Sequence, residues 1–334
     1  MNPLRLLDFS WDTMSAGGLF SGVSLPWMSH LTVANLTLTL SLGLPEQSVL
    51  QPAWDYLLQH HQAELRSPLF PVVISVSTYL LLVTLYTLLD LLAPSWPALN
   101  SYKLHPDRPV TWDNIWTTLY LTAYNHLVYI FPAAVGQWLW RPPIPLPRDA
   151  PTLMSFLLGI LGCMVVFDFQ FYLWHLLHHR VPWLYRTFHA MHHQYLQPFS
   201  LVTQYVSAWE LISSGFWTTV DPLLLQCHCL TAWGFMVFTI CVSTEDHCGY
   251  DFPWSLHRLV PFGLWGGPPK HDAHHRMPGT NFAPFFSHWD WLGGTNMVPT
   301  PSKEKYVEED AVNNLFGRDL YTAPPTSKHL PCDP

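Results

Sequence analysis

The chain has 334 residues, of which 49% are apolar and only 11% charged, against roughly 25% charged in an ordinary soluble domain. Its 23 acidic and 15 basic residues give a net charge of -8, so no basic stripe is present to hold nucleic acid. This composition excludes a conventional cytosolic enzyme and suits a chain with lipid-facing surface, which also explains the 17 tryptophans as interfacial residues.

From the N-terminus, Thr13 to Pro45 carries no acidic or basic residue but is rich in Ser, Thr, Gly and Asn, and Met1 to Asp12 lacks a clean basic-then-apolar signal. The segment 1–50 reads as a variable luminal or interfacial region. Asn35-Leu36-Thr37 is a glycosylation acceptor if that region faces the lumen, and otherwise a chance tripeptide. Leu69 to Leu92 is a spanning candidate despite Asp90 near its end. The 27 residues between Asp113 and Arg141 contain no charge and form the best candidate, being long enough at about 1.5 Å per residue to cross a hydrocarbon layer of about 30 Å. Thr152 to Trp174 carries only Asp168. The stretch from Gln204 to Thr244 reads as two short helices in a hairpin, with the turn at Pro222. From Thr300 the chain alternates Lys303 and Lys305 with Glu304, Glu308, Glu309 and Asp310, and 299–334 reads as a solvated tail. No repeat or linker divides the rest, so 51–298 is taken as one catalytic domain.

The six cysteines are not spaced as a disulfide framework. Cys227-His228-Cys229 reads either as half a metal site or as small buried hydrophobes.

Histidine is the unusual residue: the chain has 19, more than its Lys and Arg together. Six stand between His175 and His193: His175, His178 and His179 at the end of an apolar helix, then His189, His192 and His193 in the order H-x-x-H-H. His271, His274 and His275 repeat H-x-x-H-H. Positions i, i+3 and i+4 share a helix face, so each cluster is expected to offer two or three imidazoles to one point. Eight or more nitrogen donors exceed the four of a structural zinc and indicate two ions, whereas imidazole suits Fe, Zn, Cu and Ni alike. Asp168, two helical turns before His175, is either a carboxylate orienting an imidazole or a polar residue capping or pairing within the bundle, and Asp272 lies inside the third cluster. Trp174, Trp183, Tyr185, Trp254 and Trp289 either line a pocket or sit in the interfacial belt.

These boxes, above all WHLLHHRVPWLYRTFHAMHHQ at 174–194, resemble those of the fatty acid hydroxylase and sterol desaturase superfamily, whose members are membrane-bound non-haem di-iron oxygenases. Stretches between the boxes, among them TQYVSAWEL and EDHCGYDFPWSLHRLVPFG, are similar to the sterol side-chain hydroxylase branch, and the likeness runs from about Gln51 to Asp290. The resemblance implies His175, His179, His192, His193, His274 and His275 as catalytic metal ligands, joined by His178, His189 and His271. It adds His247 as a ligand, Asp246 as a carboxylate behind the site, and His257 and His288 nearby. Lys270 stands where the family has one more histidine before the third box, a departure that bears on substrate fit rather than on the metal. The implied protein is an all-α, polytopic membrane bundle of the endoplasmic reticulum with a cytosolic histidine-rich di-metal region. It would use two iron ions, O2, a sterol from the bilayer and electrons from a membrane-bound NAD(P)H-dependent reductase chain, since no Gly-rich dinucleotide fingerprint is present. Other superfamily chemistry, namely a C4-methyl sterol oxidase, a sterol desaturase or a fatty acyl hydroxylase, and a membrane metal transporter or binder are the alternatives.

All the boxes must lie on one side of the membrane to share a metal pair. The 204–244 hairpin returns the chain to that side, and three earlier spans put the N-terminus opposite, in the lumen.

Overall fold

The computed structural model describes residues 48–140 and 143–297, so Asn35, nearly all of the 1–50 segment and the 299–334 tail lie outside the described residues. Within them the protein is helical and has no β-strand; the two isolated antiparallel bridges join Lys103 to Tyr250 and Trp265 to Phe286.

Helix α1 (Gln51–His60) buries Trp54, whose indole N–H donates to the Pro147 carbonyl at 3.0 Å. Helix α2 (Phe70–Leu92) opens with a proline in its first turn, where the missing N–H costs nothing. Its apolar run continues through Ser95, and with α5 (Leu153–Arg180) it is one of two helices among the described residues long and apolar enough to cross a membrane. The expected span between Asp113 and Arg141 is helical from end to end of its described part but is not one α-helix. Helix α3 (Trp112–Asn125) passes into a π-helical turn (His126–Ile130) and then α4 (Phe131–Trp140). Pro132 supplies the reason: without an N–H it cannot bond the carbonyl four residues back, and the Phe131 N–H reaches five residues back to His126 instead.

The expected hairpin is present as α6 (Ala208–Leu224) and α7 (Cys229–Asp246), but its turn is not at Pro222. Pro222 lies inside α6, where the Leu225 N–H still reaches the Asp221 carbonyl at 3.0 Å; the turn comes after it, through Gln226 at φ 51°. A capping box of Ser207 and Glu210 starts α6.

Helix α7 packs between α2 and α5. Phe167 of α5 stacks with Phe285 and meets Phe235 of α7, and Cys163, Met164 and Val242 complete that core. The helices approach closely because Gly159 and Gly234 have no side chain: a Cβ at Gly159 would stand 2.6 Å from Thr231 Cγ2, and one at Gly234 2.9 Å from Phe156 Cζ. Helices α2, α5 and α7 end, and α6 begins, at one end of the bundle. The segment after α7 lies there, with α8 (Gly267–Arg276) and α9 (His288–Gly293). It is tied down by carboxylates. Asp168 of α5 accepts from the Phe285 and Phe286 N–H groups at 2.7 and 3.1 Å, and Asp290 accepts from Phe282 and Ala283 at 2.8 and 3.0 Å. At the end of α2, buried Asp90 pairs with Lys103 at 2.6 Å, beside the Lys103–Tyr250 bridge.

Replacing Gly159 by leucine is expected to force α5 and α7 apart and cost about 1–3 kcal/mol. The check is thermal unfolding of the purified protein in micelles, where Gly159→Leu should melt several degrees below the unaltered chain.

Candidate metal centre

Nine imidazoles meet beneath the segment after α7, in two adjoining groups. His175, His179, His189, His193 and His274 form one, and His192, His247, His271 and His275 the other; within each, the candidate ligand atoms all lie within 4.8 Å of one another. The expectation that each box serves one point therefore needs correction. In each H-x-x-H-H box the residues i and i+4 go to one group and i+3 to the other. His189 and His193 join the first and His192 the second, whereas His271 and His275 join the second and His274 the first. In box three, on α8, each residue turns the helix by about 100°, so i+3 and i+4 lie on opposite flanks of i and diverge by a quarter turn; box two makes the same division from the end of a π-helical turn (Tyr185–His189) and a 3-10 turn (His192–Gln194). Box one contributes His175 and His179 from the last turns of α5, and His247 stands at the C-terminal end of α7. Gly267 opens α8 at φ 68°, where a Cβ would also collide with the His257 ring at 2.6 Å.

The tautomers follow from what faces each Nδ1. His175 Nδ1 donates to the Phe282 carbonyl at 2.8 Å, His274 Nδ1 to Thr280 at 2.6 Å, His275 Nδ1 to Tyr195 at 3.0 Å and His247 Nδ1 to Ser243 at 2.7 Å. His189 Nδ1 faces the Glu210 carboxylate at 2.6 Å, both residues being buried. A carbonyl accepts only, so the four Nδ1 atoms facing carbonyls carry the proton and their Nε2 atoms are bare lone pairs in the neutral ring; burial pushes Glu210 up to about 8, and its ionised form holds the proton on His189 Nδ1 in the same way. Yet the Nε2 atoms are aimed at one another. His175 and His189 stand 3.0 Å apart, His179 and His189 2.9 Å, His189 and His193 3.0 Å, and His193 and His274 3.2 Å. In the second group His247 is 2.9 Å from His271 and 3.3 Å from His192, and His271 is 3.2 Å from His275.

Between His175 and His189 neither nitrogen has a proton to share, so the contact is repulsive unless a cation lies among the lone pairs. The spacing suits one: two nitrogens each about 2.1 Å from an ion and at right angles stand about 3.0 Å apart. Protonation is no substitute for a metal. Burial and the neighbouring imidazoles push His193, His271 and His275 well below the ordinary imidazole value. Burial takes His192 and His274 down to about 3 and His247 to about 4. The rings are neutral at physiological pH, the state in which imidazole binds metal. Five nitrogens exceed a tetrahedral zinc site and suit a higher-coordinate ion such as iron, and neither group contains a thiolate.

The remaining expected residues fall elsewhere. His178 belongs to neither group; it stacks on Trp174 at 3.7 Å, donates from Nδ1 to the Trp174 carbonyl and accepts at Nε2 from the Trp209 indole at 3.1 Å. Asp168 holds backbone N–H groups rather than an imidazole of either group. Asp272 takes His105 Nε2 at 2.7 Å and the Arg276 guanidinium at 2.9 Å. Asp246 is buried at the end of α7 and bonds no imidazole. His257 faces Asp251 at 3.0 Å, and His288 packs on Trp289. Lys270 turns away from the rings, donating to Ser287 and Asn296 at 2.7 and 2.6 Å. Of the aromatics, buried Tyr185 lines the first group beside His179, whereas Trp183 and Trp254 are exposed. Cys227 and Cys229 assemble with no metal-binding group among the described residues; Cys227 Sγ lies 3.8 Å from Cys163 Sγ.

Glu210 was missed by sequence reasoning. Its signal, Ser-x-x-Glu at the head of an apolar run, reads as a helix cap, and the residue does cap α6 through Ser207. Only the tertiary fold shows its other oxygen on His189.

Stripping bound metal with a chelator should lower the melting temperature of the purified protein, because the lone pairs then face one another uncompensated and the binding free energy is lost from the folded state. An unchanged transition after complete metal removal would count against the site. Glu210→Gln, which keeps the shape of the cap, is expected to weaken metal retention about tenfold or more in a chelator competition.

Comparison with known proteins agrees with this geometry. A family model described as fatty acid hydroxylase matches residues 160–295, which include all nine histidines. Cholesterol 25-hydroxylase-like protein 2 of Danio rerio is 74% identical over 275 residues, covering 82% of this chain and 97% of its own length. Cholesterol 25-hydroxylase of Homo sapiens is 49% identical over 249 residues (75% of this chain, 91% of its own), and that of Rattus norvegicus 48% over 262 (78% and 87%). No solved structure matches the chain.

Proposed function

The chain belongs to the cholesterol 25-hydroxylase family, and on that premise we propose that it is a membrane-embedded sterol monooxygenase converting cholesterol to 25-hydroxycholesterol at a histidine-held pair of iron ions. The observation that carries the reading is the convergence of nine neutral imidazoles into two adjoining groups whose lone pairs require cations. The first ion is assigned to His175, His179, His189, His193 and His274, and the second to His192, His247, His271 and His275. The catalytic domain is assigned to 51–298.

The overall change is R–H plus O2, two electrons and two protons giving R–OH and water. Bound iron supplies the reductive activation of O2 that redox-inert zinc lacks. The protein's own part is placement and exclusion. Carbonyls of Phe282, Thr280, Tyr195 and Ser243 fix the donor nitrogens, and Glu210 fixes His189. Phe282, fully buried, stands over the His175, His179 and His274 rings and keeps water from them. Electrons come from an external membrane-bound reductase chain.

The direction in which the helices run supports one topology. Helices α2, α5 and α7 deliver their C-terminal ends, and α6 its N-terminal end, to the histidines. With that end cytosolic, the bilayer is crossed by α2, by the α3–α4 run, by α5 and by the α6–α7 hairpin. The start of α2 is then luminal, in the endoplasmic reticulum. A sterol reaches the site from the lipid side without crossing water.

Mass spectrometry of sterols from cells given deuterated cholesterol tests the reaction. A labelled 25-hydroxy product is expected with the intact chain and not with His192→Ala at matched protein levels. Desaturated or differently oxygenated lipid in its place would move the assignment to another superfamily chemistry. Metal analysis after anaerobic, iron-replete purification should give about two irons per chain; zinc without iron would overturn the oxygenase reading.

A further inference from the structure

Helices α5 and α6 run antiparallel from the metal centre into the bundle, and their contacts order the seam between them. Trp209 meets His178 at the histidine end, Asp221 lies beside Gln170 farther in, and Cys227, just past α6, faces Cys163 at the far end. Along this seam lie buried polar atoms without a hydrogen-bond partner among the described residues: both Asp221 carboxylate oxygens, Gln170 Oε1, and the indole N–H groups of Trp174 and Trp217. Asp221 is 0% exposed. A carboxylate buried in an apolar helix pair with only the Gln170 side chain beside it is costly, and such a group calls for an explanation. Between Trp209 and Trp217, α6 carries Ser213, Ser214 and Gly215, and a Cβ at Gly215 would meet nothing within 4 Å. Exposed Phe169, Leu173 and Leu177 of α5 and Ile212, Phe216 and Leu223 of α6 form apolar outer surfaces on the two helices.

The distance along the seam is informative. Glu210, bonded to His189, and Asp221 are eleven residues apart on one helix, or about 16 Å at 1.5 Å per residue. That is the length of a sterol from its ring hydroxyl to the end of its side chain. A sterol lying along this seam with its side chain toward the metal centre would bring its hydroxyl to the level of Asp221, away from water that could satisfy it.

Resting on the sterol hydroxylase reading, we propose that the α5–α6 seam holds the sterol with its side chain toward the histidines, and that Asp221, with Gln170 beside it, binds the 3-hydroxyl. The carboxylate accepts the hydroxyl proton when ionised and can donate to the hydroxyl oxygen when protonated, so one residue serves either state. Asp221 is then a substrate-binding and specificity-determining residue, remote from the reacting carbon. The Trp174 and Trp217 rings supply flat walls for the fused ring system between the two ends.

The test uses the purified full chain loaded with iron, with turnover driven by O2 and an added NAD(P)H-dependent reductase chain, and two probes: tritiated cholesterol and cholest-5-ene, the same skeleton without the hydroxyl. Equilibrium binding and kcat/KM are measured for each with the unaltered protein, Asp221→Leu and Asp221→Asn. The unaltered protein should prefer cholesterol. Asp221→Leu should lower cholesterol binding and kcat/KM by between about tenfold and a hundredfold, leave cholest-5-ene within twofold, and so erase the preference; Asp221→Asn, which still hydrogen-bonds, should keep most of it. Without sterol, Asp221→Leu should melt no lower than the unaltered protein, since it removes a buried carboxylate with only the Gln170 side chain beside it. Equal losses for both sterols, or a lowered melting point with the preference intact, would mean that Asp221 is structural and would overturn the assignment. An unaltered protein that oxidises both probes equally well sinks this inference alone, whereas one that binds and oxidises neither sinks the sterol reading with it.

Discussion

The structure depends on holding neutral imidazole nitrogens against one another with their lone pairs facing inward. His175 Nε2 and His189 Nε2 stand 3.0 Å apart although both rings carry their proton on the other nitrogen. No protein hydrogen bond can hold that arrangement. Left free, each ring would turn, exchange tautomer or take a proton. What prevents this is an acceptor behind the ring: four backbone carbonyls and one carboxylate, each within 3.0 Å of an Nδ1. Deep burial supplies the rest by disfavouring the imidazolium, so the donor atoms stay bare and ready for a cation.

Those acceptors lie mainly in irregular segments, which do not hold their own shape as helices do. The buried carboxylates of the bundle are spent on that problem. Asp168 and His175 lie two turns apart on α5, and both touch the same stretch of chain: Asp168 takes the N–H groups of Phe285 and Phe286, and His175 donates to the Phe282 carbonyl. Asp290 grips the opposite side of Phe282 and Ala283 through their N–H groups. One rigid helix thus fixes both a ligand and the loop that orients it. Asp272 does the same for α8, tying the third box to His105 in the segment after α2. Buried acids near a histidine cluster read as imidazole partners by analogy with many metal sites, but among the described residues only Glu210 bonds an imidazole of the two groups.

This division of labour explains what the sequence disclosed and what it withheld. The boxes were legible because helical spacing is local: four residues from His175 to His179 make a turn whatever the rest of the chain does. The hairpin was legible from its length and apolar character, but its turn was not. Pro222 is tolerated inside α6 because later N–H groups close over it, and the reversal occurs at Gln226 instead. The π-helical turn at His126–Ile130 escaped because it depends on which carbonyl the Phe131 N–H reaches when Pro132 leaves a gap. His178 sits in box one yet faces Trp209, a partner supplied by a different helix. Glu210, Asp168 and the Phe282 and Tyr195 carbonyls act across 21 to 118 residues of chain, and no periodicity reports contacts of that range. Sequence pattern therefore found eight of the nine donors, left His247 to the family resemblance, and missed what aims them.

The paired histidines carry a further constraint. His192 and His193 are chain neighbours, as are His274 and His275, and each pair divides between the two groups. Adjacent Cα atoms are about 3.8 Å apart, and the ring centroids of these pairs lie only 5.6 and 6.0 Å apart. Two groups supplied from such dipeptides cannot be remote from each other; each pair sets the two sites side by side. The division also couples them, because any shift of α8 that moves His275 in the second group moves His274 in the first. The two groups are therefore placed as a unit, since neither box two nor box three can position a histidine for one group without positioning one for the other. The coupling follows from the adjacency of the two histidines in each pair, whether the box lies on an α-helix, as box three does, or across a π-helical and a 3-10 turn, as box two does.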